Sequence, residues 1–158
     1  MLHKLHQLSI KADARYAKDA ELEFIDSYIN SFNIRLAAYQ KIQSVEREIV
    51  DAVYQRLLQN NPQFFDKGGQ DYTRKWRQDT TRVLRFAAMA LLYDDVDLYK
   101  DRFLYWFQTL MYAFNTQENC NQTYAVMKEV VKEMLPTAHA NLFCPFLEVT
   151  RTVLSTSK

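Results

Sequence analysis

The chain has 158 residues, 48% of them hydrophobic, with a formal net charge of +1. That length is enough for one domain with its own core, and the apolar content excludes a disordered chain. Only 2 Gly and 3 Pro argue against a turn-rich sandwich or barrel, and the near-neutral charge argues against a nucleic-acid-binding protein.

Leu2, Leu5 and Leu8 recur at helical spacing and predict a first helix ending near Tyr16. Leu22, Ile25, Ile29 and Phe32 share one face of a second helix, with Asp19 placed to cap it. From Asn33 to Asn60 apolar residues continue at steps of three or four, a stripe long enough for two helices. "QNNPQFFDKGGQD" then holds both glycines and Pro62 and reads as a turn. A helix follows from Tyr72 to Tyr93, "YDDVD" is a short acidic connection, and "LYKDRFLYWFQTLMYAF" is a strongly aromatic helix. Another runs from Asn119 to Leu135 and is stopped by Pro136. The last is expected to start near Pro145, a residue suited to a first helical position, and to fray at "STSK". The fold class is all-α, in a single domain covering residues 1–158.

The helix beginning "DYTRKWRQDTTRVLRF" carries the candidate chemistry. At about 100° per residue, Arg74, Lys75, Arg82 and Arg85 gather on one side, and Trp76, Thr80, Val83, Ala87 and Ala90 on the other. Asp79 falls roughly 60° from Trp76 and 40° from Val83 by the same step, toward the buried side or its margin. A buried carboxylate needs donors. Asp79 either offers its oxygens to N–H groups of a ligand or pairs at the core margin with an Arg or a backbone amide. The aromatic run from Phe103 to Phe114 covers more than one helix face, so it is either a central core helix or one that turns part of its surface to a flat ligand or a partner.

Other chemistry is sparse. His3, His6 and His139 lie near a terminus or a turn, not mid-helix where a globin haem would take its ligand. No metal-binding spacing and no nucleophile in a catalytic context appear, so neither a metal site nor an enzyme is expected. Cys120 and Cys144 are too few for a disulfide framework. No apolar run is long enough to span a membrane and no secretory signal is present, so a cytoplasmic protein is expected.

Several stretches, in order, resemble the phycobiliprotein family, and its allophycocyanin branch most of all. They are "SIKADARYAKDAEL", "EREIVDAVYQRLLQNNPQ", "GGQDY", "QDTTRVLRFAAMALLYDDVDLYKDRFL", "QTYAVMKEVV" and "FLEVTRTVLS", and they are spread along nearly the whole chain, from residue 9 to residue 155. The resemblance implies a globin-like, phycocyanin-like fold with an N-terminal dimerisation hairpin at residues 1–32 and a globin-like core at 33–158. It implies a homodimer, or a heterodimer with a related subunit, in which Asp13 of one chain pairs with Arg85 of the other and Tyr16 also lies at the interface. It also implies partners among phycobilisome or bilin-pathway proteins, at the cytoplasmic face of the thylakoid.

The family attaches a linear tetrapyrrole through a Cys-x-Arg-Asp motif. Here that motif reads "WRQD": Asp79 is retained, Trp76 stands at the cysteine position and Gln78 at the arginine position. Covalent attachment at the usual place is therefore excluded, as in the bilin-biosynthesis-associated globins that this chain also resembles. The expectation is noncovalent binding of a bilin, phycocyanobilin or biliverdin, or of another tetrapyrrole. Asp79 would take the pyrrole N–H groups, Arg77, Arg74 or Lys75 the propionates, and Trp76 would stack on the rings. The alternative is that Trp76 fills the pocket and the protein works through its dimer and basic helix face.

Overall fold

A computed structural model describes residues 1–156. It is all-α: α1 (Leu2–Lys11), α2 (Asp19–Ser44), α3 (Glu46–Asn60), α4 (Thr73–Tyr93), α5 (Val96–Tyr99), α6 (Tyr105–Ala113), α7 (Gln117–Met134) and α8 (Thr137–Ser155). A two-residue ladder, Asp66–Lys67 with Gln70–Asp71, closes the turn before α4, and Gly68 and Gly69 take its positive φ of 66° and 85°.

The first helix stops at Lys11, well short of Tyr16. Ala14 adopts φ 59°, and the Arg15 guanidinium spreads over the carbonyls of Lys11 and Tyr16 and both carboxylate oxygens of Glu21. The arginine ends the helix and starts the next, satisfying groups that a further helical turn would have used. It holds the Glu21 carboxyl down at about 2, with the Lys18 amide assisting.

No break falls at Phe32. α2 runs 26 residues to Ser44, because nothing between Asp19 and Ser44 is Gly or Pro and its buried stripe continues through Arg35, Ala38 and Ile42. The chain bends at Val45 (φ −120°, ψ 18°), whose N–H reaches both the Lys41 and Ile42 carbonyls at 3.2 Å. The expected long third stretch is thus divided at Val45, with its first half joined to the hairpin helix.

The aromatic helix contains a π-helical turn at Lys100–Leu104 between α5 and α6. The extra residue rotates the register. Phe103, Leu104 and Phe107 face inward, while Tyr105 and Trp106 stay about half exposed. The last helix starts at Thr137, not at Pro145; Pro136 is its N-cap, and Pro145 sits mid-helix on the exposed side, where a missing N–H costs least. Of the fraying expected at "STSK", Ser157 and Lys158 lie outside the described residues.

The core joins α3, α4, α6, α7 and α8 through Ile49, Leu84, Phe103, Phe107, Met127 and Phe143, all at most 2% exposed. α1 has no buried residue and is held at its start by Asp95. One Asp95 oxygen accepts the His3 N–H at 2.7 Å, and the other caps α5 through the Leu98 N–H at 2.9 Å. Burial pushes the Asp95 carboxyl up, but those two amides and the terminal ammonium outweigh it and leave it below the ordinary carboxylate range. Its contribution is therefore present above pH ~4 and lost as pH falls through the lowered value. Asp95→Ala should lower stability at pH 7 by about 1–2 kcal/mol, the worth of a buried cap. In urea melts the gap from the parent protein should close as the pH is taken below ~4.

Candidate functional site

α4 rises from the Gly-Gly turn with its first two turns lying against α3, α7 and the Phe64–Phe65 segment. Thr80, Val83 and Ala87 are buried, as their helical angles require. Trp76 is half-buried. Its indole N–H donates to the Thr123 hydroxyl on α7 at 3.0 Å. Its ring meets Phe65 edge-on, with centres 5.0 Å apart, and lies 6.1 Å from Tyr54. A buried indole needs an acceptor, and Thr123 supplies it across the helix pair.

Held this way, Trp76 forms one wall of a cleft of about 230 Å³ between α4, α6 and α7. Phe64, Phe65, Phe107, Leu110, Met111 and Phe114 supply most of the remaining apolar wall. Asp79 stands at its edge, with the side chain 17% exposed. Both of its oxygens lie 2.9 Å from the Lys75 ammonium, which is itself 63% exposed. Asp79 thus sits at the core margin, paired with a lysine one turn back, and the expected Arg or backbone amide partner is replaced by Lys75. On the outer side of α4 a shallow groove of about 610 Å³ runs past Gln78, Thr81, Arg85 and Phe86. Lys75, Asp79 and Arg82 line both the cleft and the groove, so they mark where the two join.

The sequence-predicted ligand residues divide in two. Trp76, Asp79 and Lys75 come together at the cleft. Arg77 lines the outer groove and not the cleft: it pairs with Asp51 on α3, and its guanidinium sits 4.4 Å from the Tyr54 ring centre. Arg74 is exposed and lines neither cavity. The geometry withdraws both arginines from the cleft. Arg82, which in the sequence is only one member of the basic stripe, joins Lys75 as its second cation.

Sequence reasoning also misses Tyr124, which reads as one more apolar residue of α7. It is 3% exposed and lines the cleft. Burial pushes its hydroxyl well above the ordinary range, and Cys120, Tyr99 and Asp79 nearby act in the same direction, so it stays a protonated donor. A clue is available in the aromatic helix: Phe107, Leu110, Met111 and Phe114 share one face at helical spacing, and that face lines the cleft. The run divides: Phe103 is core, while Phe107 and Phe114 line the cavity.

The residues expected at a dimer interface are displayed on the surface. Tyr16 is 98% exposed and Asp13 is exposed in the turn after α1. Arg85 forms a two-point pair with Glu46 within the chain, at 2.6 and 2.7 Å. Among the described residues no group of three His, Cys, Asp or Glu side chains lies close enough to hold a metal ion. No described helix is long and apolar enough to cross a membrane.

A family profile described as phycobilisome protein matches residues 8–154. The chain belongs to the phycobilisome protein family. Its all-α fold is therefore of the globin-like type. Among curated relatives it is 28% identical to the allophycocyanin alpha-B chain of Cyanophora paradoxa, over 56% of this chain and 59% of that one. It is 29% identical to the C-phycocyanin beta chain of Porphyra purpurea, over 66% of this chain and 64% of that one. The chain thus spans less than two thirds of the length of these relatives.

The Trp76–Thr123 bond is testable on its own. Trp76→Phe should retain the packing on Phe65 but leave the Thr123 hydroxyl, in a residue only 2% exposed, without its donor. The expected loss is about 1 kcal/mol in urea unfolding, and Thr123→Val should cost less when combined with Trp76→Phe than it does in the parent.

Proposed function

We propose that this phycobilisome-family protein binds a bilin or another tetrapyrrole noncovalently, in an accessory role in bilin supply or phycobilisome assembly and turnover. The observation that carries the reading is the stance of Trp76. The indole at the usual attachment position leans on Phe65 and bonds to Thr123, so a cleft remains beside it. That cleft has a flat aromatic wall, a carboxylate at its edge and two cations at its mouth, which complement a conjugated ligand with inner N–H groups and carboxylate arms.

A volume of about 230 Å³ is below the ~300–1,000 Å³ of pockets that bury a whole drug-sized ligand. A tetrapyrrole would place part of itself in the cleft and run out into the groove past Arg82. To accept pyrrole N–H groups Asp79 must release Lys75. The ammonium is mostly exposed, so parting the pair costs little, on the order of 0–1 kcal/mol.

Absorbance titration with biliverdin, phycocyanobilin and haem tests the reading. A saturable red shift is expected with at least one of them. Asp79→Ala should weaken it about 10- to 100-fold, the worth of charge-assisted hydrogen bonds. No spectral change with any of the three would overturn the reading.

The alternative, a ligand-free interaction subunit, draws on the surface. Ile10, Tyr16 and Ile29 are each more than 60% exposed on or beside the hairpin, an unusual display of large apolar residues. The two readings share one expectation: self-association, or pairing with a related subunit, through the hairpin and the α4 face. In that pairing Arg85 would exchange Glu46 for Asp13 of the second chain. Sedimentation at micromolar concentration should show a dimer that Asp13→Ala weakens by about tenfold or more, as for a charge partner removed from an interface. A monomer that Asp13→Ala leaves unchanged would count against it.

A further inference from the structure

The walls of the cleft are not held alike. Its α4 and α7 sides are pinned by buried residues, among them Thr80, Val83 and Leu84 on one and Thr123 and Met127 on the other. On the third side Phe107 is the last buried residue of α6, and none of residues 108–119 is buried before Cys120 resumes the core. That stretch holds the second half of α6, the turn at Asn115 with its φ of 51°, and the start of α7. Yet Leu110, Met111, Phe114, Thr116 and Asn119, all within it, line the cleft. Gln108 and Asn119 tie the stretch to other elements. Gln108 Nε2 donates to the Val153 carbonyl at 2.8 Å, an oxygen in the last turn of α8, where a helix leaves its carbonyls unpaired. Asn119 Nδ2 reaches the Phe64 carbonyl across the cleft at 3.5 Å, the limit of a hydrogen bond. Bonds inside the stretch are shorter than that: the Thr116 N–H and hydroxyl both donate to the Met111 carbonyl, at 2.9 and 3.1 Å, and the Phe114 N–H donates to the Leu110 carbonyl at 3.0 Å. A segment that coheres by its own bonds and buries no residue can open as one piece while the core stays folded.

We infer that residues 108–119 form a flap over the cleft, hinged at the buried Phe107 and Cys120, with the Gln108–Val153 hydrogen bond as its latch. The flap belongs to the ligand-free chain. Its use as a gate, widening a cleft of about 230 Å³ for a larger ligand, rests on the binding reading above. Opening gives up the apolar contacts of Leu110 and Met111, which are only half-buried, and leaves Phe103, Leu104 and Phe107 in the core. The opposite wall has no such freedom, because Trp76 is bonded to Thr123 and Arg77 to Asp51. Movement is therefore confined to the α6 side, and its frequency is set by the latch.

Native-state amide hydrogen exchange on the ligand-free protein tests the flap. In the parent, the amides of residues 110–116 should share one protection factor to within about threefold, and it should lie at least about 100-fold below that of the α4 and α7 core amides. Gln108→Ala should lower the shared value about two- to tenfold, the worth of one neutral hydrogen bond, and leave α4 and α7 unchanged. Thr109→Ala, on the same helix but bonded only to the Tyr105 carbonyl, should not lower it. Protection equal to that of the core, or a graded loss along 108–116 as in simple fraying, overturns the flap. No change in Gln108→Ala, or an equal loss of protection throughout the fold, overturns the latch. The gate is read separately, from the association rate of biliverdin, which Gln108→Ala should raise by the factor it takes from the protection. An unchanged rate overturns the gate and leaves the flap standing. Failure of the parent to bind biliverdin counts against the reading of the cleft, and the exchange data then decide the flap by themselves.

Discussion

The hydrogen bond between the Trp76 indole and the Thr123 hydroxyl fixes the character of this molecule. A tryptophan placed where helix α4 faces α7 could have lain across the gap and closed it. Its N–H had to find an acceptor, and the acceptor on α7 stands the ring upright against Phe65 and Tyr54. One turn further along α4, Asp79 lines the same cleft, paired with Lys75. Wall, cleft and carboxylate follow from that single constraint on the indole.

The electrostatics around the cleft are quieter than a helix with five cations suggests. Arg77 is tied to Asp51 and Arg85 to Glu46, both on α3, and Lys75 is tied to Asp79. The first two pairs hold α4 against α3 and take their charges out of competition. What remains at the mouth is Arg82, with Lys75 on an exposed and easily released tether. A helix that reads as a basic face is thus largely neutralised within its own fold, and this agrees with a chain of net charge +1.

How much of this is legible in the sequence depends on whether a residue's role is set within its own helix. Thr80, Val83 and Ala87 are buried because helical angles put them there, and Asp79 sits at the margin for the same reason. The directions of Arg77 and Arg85 are not legible, because their partners lie on α3, and no periodicity of α4 contains Asp51 or Glu46. The first helix ends early for a reason of the same kind: Arg15 satisfies carbonyls of its own turn, an alternative that a count of leucines does not register. Pro145 misleads because a proline mid-helix and a proline at a helix start look alike until the exposed side of α8 is known. Tyr124 is the most consequential omission, since a tyrosine in phase with Met127 and Val131 gives no sign that it lines a cleft.

Exchanging a thiol for an indole at position 76 changes the kind of holding that the fold can offer. A thioether keeps its ligand whatever the surrounding concentration. A cleft walled by Trp76 could keep one only by contact, and under the proposed reading its occupancy would follow the ratio of free ligand to Kd. The contacts available are a stacking face, a carboxylate that must first part from its lysine, and a short apolar slot that holds less than a whole tetrapyrrole. Each is modest and each is reversible. Meanwhile the core of Phe103, Phe107, Met127 and Phe143 is closed without any ligand, so the empty protein can persist as a folded species. Those two features, a core closed without any ligand and a cleft walled by Trp76, are what the proposed reversible binding would require.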